Sequence, residues 1–244
     1  MKPHIYIQMA AMETRHWWFV GRRRILTEVL TTHADLPSTC EILEVGCGTG
    51  GNLSMLSQFG RVCAIEPNDE GRGLARQKGD FEIRKGSLPH DIPFDAQTFD
   101  LISALDILEH VPEDQSSLHS LRNFLRPKGW LLITVPAFSF LWSSHDEDHY
   151  HKRRYNKTQL LRIVQNAGFS PVMVTYFNTL MFPLAVSIRL MKKILRLNEL
   201  NEQMTLPEPI NALLTRLFST ERYFLKNWPL PVGLSLLLLA RKSS

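Results

Sequence analysis

The feature that most narrows what this chain can fold into is a short apolar run that breaks onto glycines. It reads EILEVGCGTGGNL, residues 41–53. ILEV (42–45) is too short for a buried helix and suits a buried strand. Gly46, Gly48, Gly50 and Gly51 follow at once. Glycine lets the chain turn tightly and lets a ligand approach the backbone, and a helix beginning after such a turn points amide N–H groups at that ligand. Gly46, Gly48 and Gly51 fit G-x-G-x-x-G, the spacing of a dinucleotide-binding turn. Gly50 makes it G-x-G-x-G as well, so the spacing alone names no ligand. Cys47, inside the turn, reads as a small filler rather than a reactive thiol.

The rest of the chain extends this opening unit. Helical spacing leads in, with Trp17, Trp18 and Phe19 followed by Ile25, Leu26, Val29 and Leu30. After the turn the spacing predicts a helix over 50–59 and a strand over 62–66. A helix over 69–78, stopped by Gly79, and a weak strand over 81–86 come next. A strand over 99–105, a helix over 112–125 with proline near its start and a strand over 130–135 follow. A helix over 158–167 closes at Gly168. FSPVMVTYF (169–177) and GLSLLLLAR (233–241) read as late strands. Strands alternating with helices imply an α/β fold, a doubly wound and mostly parallel sheet covered on both faces. The interval 179–229 needs structure of its own and reads as a helical insert rather than a second domain. The expected plan is therefore one domain: an N-terminal helical segment (1–38), a cofactor-binding core (39–178), the insert, and a last strand (230–244).

Two carboxylates bear on the ligand. Glu44 precedes the turn, where it would repel a pyrophosphate but attract an ammonium group. Glu66 ends the second strand, where an acid can accept hydrogen bonds from ribose hydroxyls in either class of ligand. Five pieces then occur in order: EVGCGTG, AIEPND, GSLPHDIPF, TFDLISALDILEHV and LRPKGWLLITVP. Together they cover residues 41–136, and in that order they resemble the class I S-adenosylmethionine-dependent methyltransferases. The resemblance implies a Rossmann-like seven-stranded sheet of order 3-2-1-4-5-7-6, with strand 7 antiparallel. It implies S-adenosyl-L-methionine as cofactor and S-adenosyl-L-homocysteine as product.

Carried over residue by residue, the resemblance implies that Gly46, Gly48 and Gly50 line the methionine and ribose side, with Cys47 and Asn52 beside them. Glu44 would face the amino group and Glu66 the ribose hydroxyls. Pro67 and Asn68 would flank the adenine, and Ser87 and Leu88 would meet its edge. Leu105 and Asp106 would lie beside the methionine portion. His110 is assigned to the cofactor too, on equal terms with a capping or filling role at a helix entrance. Many members carry Asp where this chain has Ser87, which weakens the expected grip on the adenine amino group.

Methyl transfer needs alignment and exclusion of water, and a base only where the nucleophile carries a proton. Past the fifth strand, where ligands bind in open α/β sheets, stands SSHDEDHYHKRRY. His145, His149 or His151 is a candidate base oriented by Asp146, and Arg153 and Arg154, with Tyr155, are a candidate anion clamp. A divalent metal is chemically compatible with the mixture, but no spacing fixes a ligand set and no metal residue is assigned. The run from Asp146 to Tyr155 also resembles a signature of one bacterial subgroup of these enzymes. The bland alternative is a solvated loop with paired charges.

A net charge of +4 and the lack of an RNA-binding appendage count against nucleic acid. An amino-methylating N-P-P-Y motif after the fourth strand is absent, with ALDI in its place. Three cysteines without a C-x-x-C pattern suit reduced thiols and a cytoplasmic location. In LAVSIRLMKKILRL (184–197), Arg189, Lys192, Lys193 and Arg196 gather opposite Ile188, Met191, Ile194 and Leu195. Such a helix suits a lid or peripheral contact with an anionic membrane at its inner face. A second helix over 210–224 places Ile210, Leu213, Leu214, Leu217, Phe218 and Phe224 on one face, expected as part of an apolar lid, with Trp17, Trp18 and Phe19 as candidate additions. The leading expectation is O-methylation of a small apolar or lipid-linked acceptor carrying an anionic group. RNA or protein methylation and a non-catalytic cofactor-binding module are the alternatives.

Overall fold

A computed structural model describes residues 3–195 and 206–243. In chain order the elements are α1 (Pro3–Met12), α2 (Trp17–His33), β1 (Cys40–Val45), α3 (Leu53–Leu56), β2 (Gly60–Ile65), α4 (Asp69–Arg76), β3 (Glu82–Arg84) and β4 (Phe99–Leu105). Then come α5 (Asp114–Phe124), β5 (Leu125–Pro136), α6 (Ser144–Asp148), α7 (Lys157–Asn166), β6 (Phe169–Phe177), α8 (Phe182–Leu195), α9 (Glu208–Ser219), α10 (Glu221–Leu225) and β7 (Ser235–Lys242). The seven strands form one sheet in the order β3-β2-β1-β4-β5-β7-β6, with β7 antiparallel to both its neighbours.

Side chains of period two divide between the faces of the sheet. Leu43, Ile102, Ile133 and Leu238 pack with α5 and α7 through Leu118, Leu121, Leu160 and Val164. Ile42, Leu101, Leu132 and Leu239 pack on the other face with Ile25, Leu26 and Val29 of α2 and Phe218 of α9. Because both faces are covered, the strands are apolar runs rather than alternating ones. From β1 the chain winds outward through β2 to β3, then crosses back to β4 on the other side of β1. That reversal opens a crevice at the carboxyl ends of β1 and β4, where ligands of open α/β sheets bind.

Two expectations need correction. The helix after the glycine turn is short: α3 spans four residues, because Gly50, Gly51 and Asn52 still belong to the turn. The insert also docks differently. In α9 the buried residues are Asn211, Thr215, Phe218 and Ser219, while Ile210, Leu213 and Leu217, and Phe224 of α10, are exposed. Backbone need decides this. Asn211 Oδ1 accepts from the Trp17 amide (2.8 Å) and its Nδ2 donates to the Arg15 carbonyl (2.8 Å), at the unsatisfied N-terminus of α2. Phe218 closes the contact by filling the space over Gly21, where an added Cβ would lie 2.4 Å from its ring. Trp17 meets that ring edge-on at 5.6 Å, so it packs α2 against α9 rather than forming a lid. In α8, Leu184 and Met191 are exposed; the side chains of Ile188, Arg189, Lys192, Lys193, Ile194 and Leu195, and residues Arg196 and Leu197, lie outside what the structure describes.

Candidate active site

The turn after β1 is built from backbone conformations that side chains resist. Gly46, Gly48 and Gly50 have φ of +65°, +55° and +83°. At Gly50 a Cβ would come within 3.0 Å of the Ala75 backbone, whereas at Gly48 it would meet nothing within 4 Å. The turn is thus packed against α4 at one glycine and open at the other, as a ligand cradle requires. Cys47 is buried, and burial pushes its thiol well above the ordinary range, which suits filling rather than nucleophilic chemistry.

Glu66, just past β2, accepts from the Gly48 amide at 2.9 Å and from the Asn68 amide at 3.0 Å. The Tyr6 hydroxyl of α1 donates to the same carboxylate at 3.4 Å. Burial raises the Glu66 carboxyl, and the two amides oppose that shift. Glu44 accepts from Asn52 Nδ2 at 2.9 Å, and its other oxygen is buried without a partner. Burial therefore pushes its carboxyl up to about 7. An unpartnered buried carboxylate oxygen at this turn fits an incoming ammonium group. Asn68 spends its side chain on capping α4, accepting from the Gly71 amide, and Pro67 offers its carbonyl to Arg72. Ser87 and Leu88 follow β3 at the same end of the sheet, held by reciprocal backbone bonds between Ser87 and Asp91.

At the end of β4, Leu105 is buried and Asp106 has φ +56°. Asp106 pairs with Arg22 of α2 at 2.8 Å and accepts from Thr134 at 3.0 Å. Sequence reasoning missed Tyr6 of α1, Arg22 of α2 and Glu13 in the turn between them. Glu13 accepts from Thr49 at 2.5 Å and pairs with Lys78, so it braces the turn from outside.

The histidine loop folds onto the end of β4. Asp146 is fully buried and accepts from the Ser143 amide, from Arg154 Nε and Nη2 (both 2.8 Å) and faces His151 Nδ1 at 2.8 Å. Burial alone would raise this carboxyl, but His151, Arg154 and the amide hold it well below the usual range. Asp146 is thus a positioning residue. Arg154 also donates to the Ala137 carbonyl and is itself buried, so its fork is spent inside the protein rather than open to an acceptor anion. Arg153 pairs with Asp114 (2.7 Å) and the Pro112 carbonyl, and the Tyr155 hydroxyl donates to Asp114 at 2.9 Å. These three side chains lock the loop to α5 and β5; they do not converge on an open anion site.

The rings of His110 and His151 meet edge-on at 4.7 Å, and those of His145 and His149 lie 4.2 Å apart. Burial, with the neighbouring imidazoles, lowers His110 and His149 to about 3, so both are neutral near pH 7. His110 therefore belongs to the loop cluster as much as to the cofactor crevice. Beside it, burial raises the Glu109 carboxyl well above its ordinary value, with the charge of Asp106 adding to the effect. Past β5, Phe138 stacks on Tyr176 at 5.0 Å and lies 5.3 Å from Phe140 and 5.8 Å from Phe182, an aromatic cluster at the same end of the sheet.

Comparison with known proteins agrees with this geometry. A family model described as a methyltransferase domain matches residues 16–174, so the chain belongs to that family. An uncharacterised methyltransferase of Staphylococcus carnosus is 36% identical over 135 residues, covering 52% of this chain and 64% of the relative. A ubiquinone biosynthesis O-methyltransferase of Idiomarina loihiensis is 24% identical over 199 residues, covering 70% of this chain and 82% of that protein. The fold also matches phosphoethanolamine N-methyltransferase 2 of Haemonchus contortus, solved with S-adenosyl-L-methionine. There the TM-score is 0.58 at 15% identity, over 90% of this chain and 52% of that one, a likeness of fold alone. The chain is thus a member of the class I S-adenosyl-L-methionine-dependent methyltransferase family, and it spans under two thirds of the Staphylococcus carnosus relative's length.

Proposed function

We propose that the enzyme methylates an oxygen on a small apolar or lipid-linked acceptor. The observation that carries this reading is the pairing, at the carboxyl ends of β4, β5 and β6, of an aromatic cluster with neutral histidines. Phe138, Phe140, Tyr176 and Phe182 supply apolar surface for the acceptor. His149 Nε2, buried without a partner, supplies a polar contact for a hydroxyl. The relative named for O-methylation in ubiquinone biosynthesis supports oxygen as the methylated atom. The anionic group on the acceptor loses its support, since Arg153 and Arg154 are committed to Asp114 and Asp146.

In the reaction the acceptor oxygen forms a bond to the methyl carbon as the carbon–sulfur bond breaks. The carbon–sulfur electron pair would pass to sulfur, leaving the neutral thioether, and the histidine cluster would carry the hydroxyl proton towards solvent. Glu44 would hold the amino end and Glu66 the ribose end of the cofactor, and the glycine turn would let it approach the backbone. S-adenosyl-L-methionine supplies the activated methyl group, so this chain's contribution is alignment and exclusion of water.

Exposed Leu213, Leu217, Phe224 and Trp228 on the insert, with Leu184 and Met191 of α8, suit work at the inner face of a membrane where such an acceptor resides. Among the described residues no helix is long and apolar enough to cross a membrane. The test is transfer of an isotope-labelled methyl group to matched phenol, amine and carboxylate acceptors with and without an alkyl tail. Labelling of the tailed phenol supports the reading; preference for amines or for untailed acceptors refutes it.

A further inference from the structure

At the end of β4 one carboxylate is buried without a side-chain hydrogen-bond partner. Glu109 is fully buried, and neither Oε1 nor Oε2 has a hydrogen-bond partner. Among the described residues, the other buried acids each have at least one oxygen in a hydrogen bond, Glu44 through Asn52 and Glu13 through Thr49. Glu66 has two amides and a tyrosine, Asp146 has an arginine and a histidine, and Glu221 accepts from the amides of Asn178, Thr179 and Leu180. Leaving a carboxylate desolvated and unpaired is costly, and buried acids in proteins are paired, protonated or bound to metal.

The neighbours of Glu109 are imidazoles. One ligand atom each from Glu109, His110 and His151 lie within 4.8 Å of one another. Donors about 2.0–2.2 Å from a tetrahedral ion stand roughly 3.3 Å apart, so small side-chain rotations would close the set. Both rings are already anchored by their surroundings. His151 gives Nδ1 to Asp146, which leaves Nε2 as the nitrogen it can offer, and a ring nitrogen of His110 bonds the His149 carbonyl. A histidine fixed on one nitrogen by a carboxylate or carbonyl, with the other turned inward, is how metal-ligating histidines are oriented. Asp146 is itself held by Arg154 and the Ser143 amide, so the support extends a further layer.

We propose that Glu109, His110 and His151 bind one divalent transition-metal ion of the zinc type. Two imidazoles and a carboxylate suit Zn²⁺ or Co²⁺ better than the all-oxygen preference of Mg²⁺ or Ca²⁺. Three protein ligands leave a coordination position open, as in reactive rather than structural sites, and that position takes an oxygen donor from water or from an acceptor. The site adjoins Asp106 at the carboxyl end of β4, beside the cofactor crevice.

The test uses the full chain, freed of metal and titrated with Zn²⁺ by calorimetry and with Co²⁺ by visible absorption. It involves no methyl transfer, so its outcome is separate from that of the reaction proposed above. One equivalent is expected, with the absorption of a low-coordinate Co²⁺ site. Glu109→Gln and His151→Gln should each weaken binding at least tenfold, while His119→Ala, at an exposed histidine on α5, leaves it unchanged. Retained binding of S-adenosylhomocysteine shows that a variant is folded. Absence of stoichiometric binding in the unaltered protein overturns the proposal, and so does equal binding in a folded Glu109→Gln variant, which would assign the ion to the other histidines.

Discussion

Glu44 carries the clearest pH signature of any single residue. Burial raises its folded carboxyl to about 7, above the ordinary value of 4.5. A raised carboxyl contributes stability while it is protonated, and that contribution is lost as pH rises through the folded value. The ligand-free protein should therefore lose thermal stability as pH rises from about 4.5, with the last of the loss falling between about pH 6 and 8. An ammonium group beside Glu44 favours the ionised form, so affinity for S-adenosylhomocysteine should rise over the same window. Calorimetry at pH 6, 7 and 8 checks this; in Glu44→Gln both trends should flatten, and an unchanged trend would remove Glu44 from the amino-group site. Glu44, Glu66 and the glycines were legible in the sequence because a turn and its acids are local. Arg22 was not: its partner Asp106 stands far along the chain, and no local pattern announces the pair. Glu109, His110 and His151 were missed as a group for the same reason, since only the fold brings the loop back onto β4.

Among the elements, the turn and the insert make opposite demands. Gly50→Ala places a Cβ at φ +83° and 3.0 Å from the Ala75 backbone. A residue forced into that region costs about 1–3 kcal/mol, so the melting temperature should fall by several degrees and cofactor affinity with it. Gly48→Ala meets no neighbour but still carries the backbone strain of φ +55°, so its melting temperature should fall less than that of Gly50→Ala while cofactor affinity falls too, a contrast that thermal melts with and without cofactor would resolve. Glu221, on α10, closes the start of the insert by accepting from three consecutive amides at 2.7, 2.7 and 3.1 Å. Glu221→Ala strands those donors, at about 1–3 kcal/mol for an unsatisfied buried group, and denaturant melts should show the loss. The strands were readable from apolar period and length. The docking of α9 was not, because hydrophobicity pointed to Leu213 and Leu217 while the contact is set by Asn211 reaching the backbone of α2. Likewise α3 was overestimated because glycine and asparagine extend the turn.

For the whole molecule, the sheet order and the family follow from pieces spread over residues 41–136, each short and all in sequence order, which is why the architecture could be anticipated. The surface could not, since exposure depends on which face of the insert docks. The exposed Leu213 and Leu217 give a direct prediction: the double change to Asp should reduce co-sedimentation with anionic vesicles severalfold while cofactor affinity stays within twofold. Equal sedimentation would confine the apolar acceptor to solution.

The central claim is that the cradle of Gly48, Glu44 and Glu66 holds S-adenosyl-L-methionine. Calorimetric titration with S-adenosylmethionine, S-adenosylhomocysteine and NAD, beside Glu66→Ala, tests it most directly. Loss of hydrogen bonds to a charged carboxylate is worth about 1.5–3 kcal/mol, so the variant should bind the adenosyl compounds at least tenfold more weakly, with NAD inert in both proteins. Preference for NAD, or undiminished binding in a folded Glu66→Ala protein, would contradict the account.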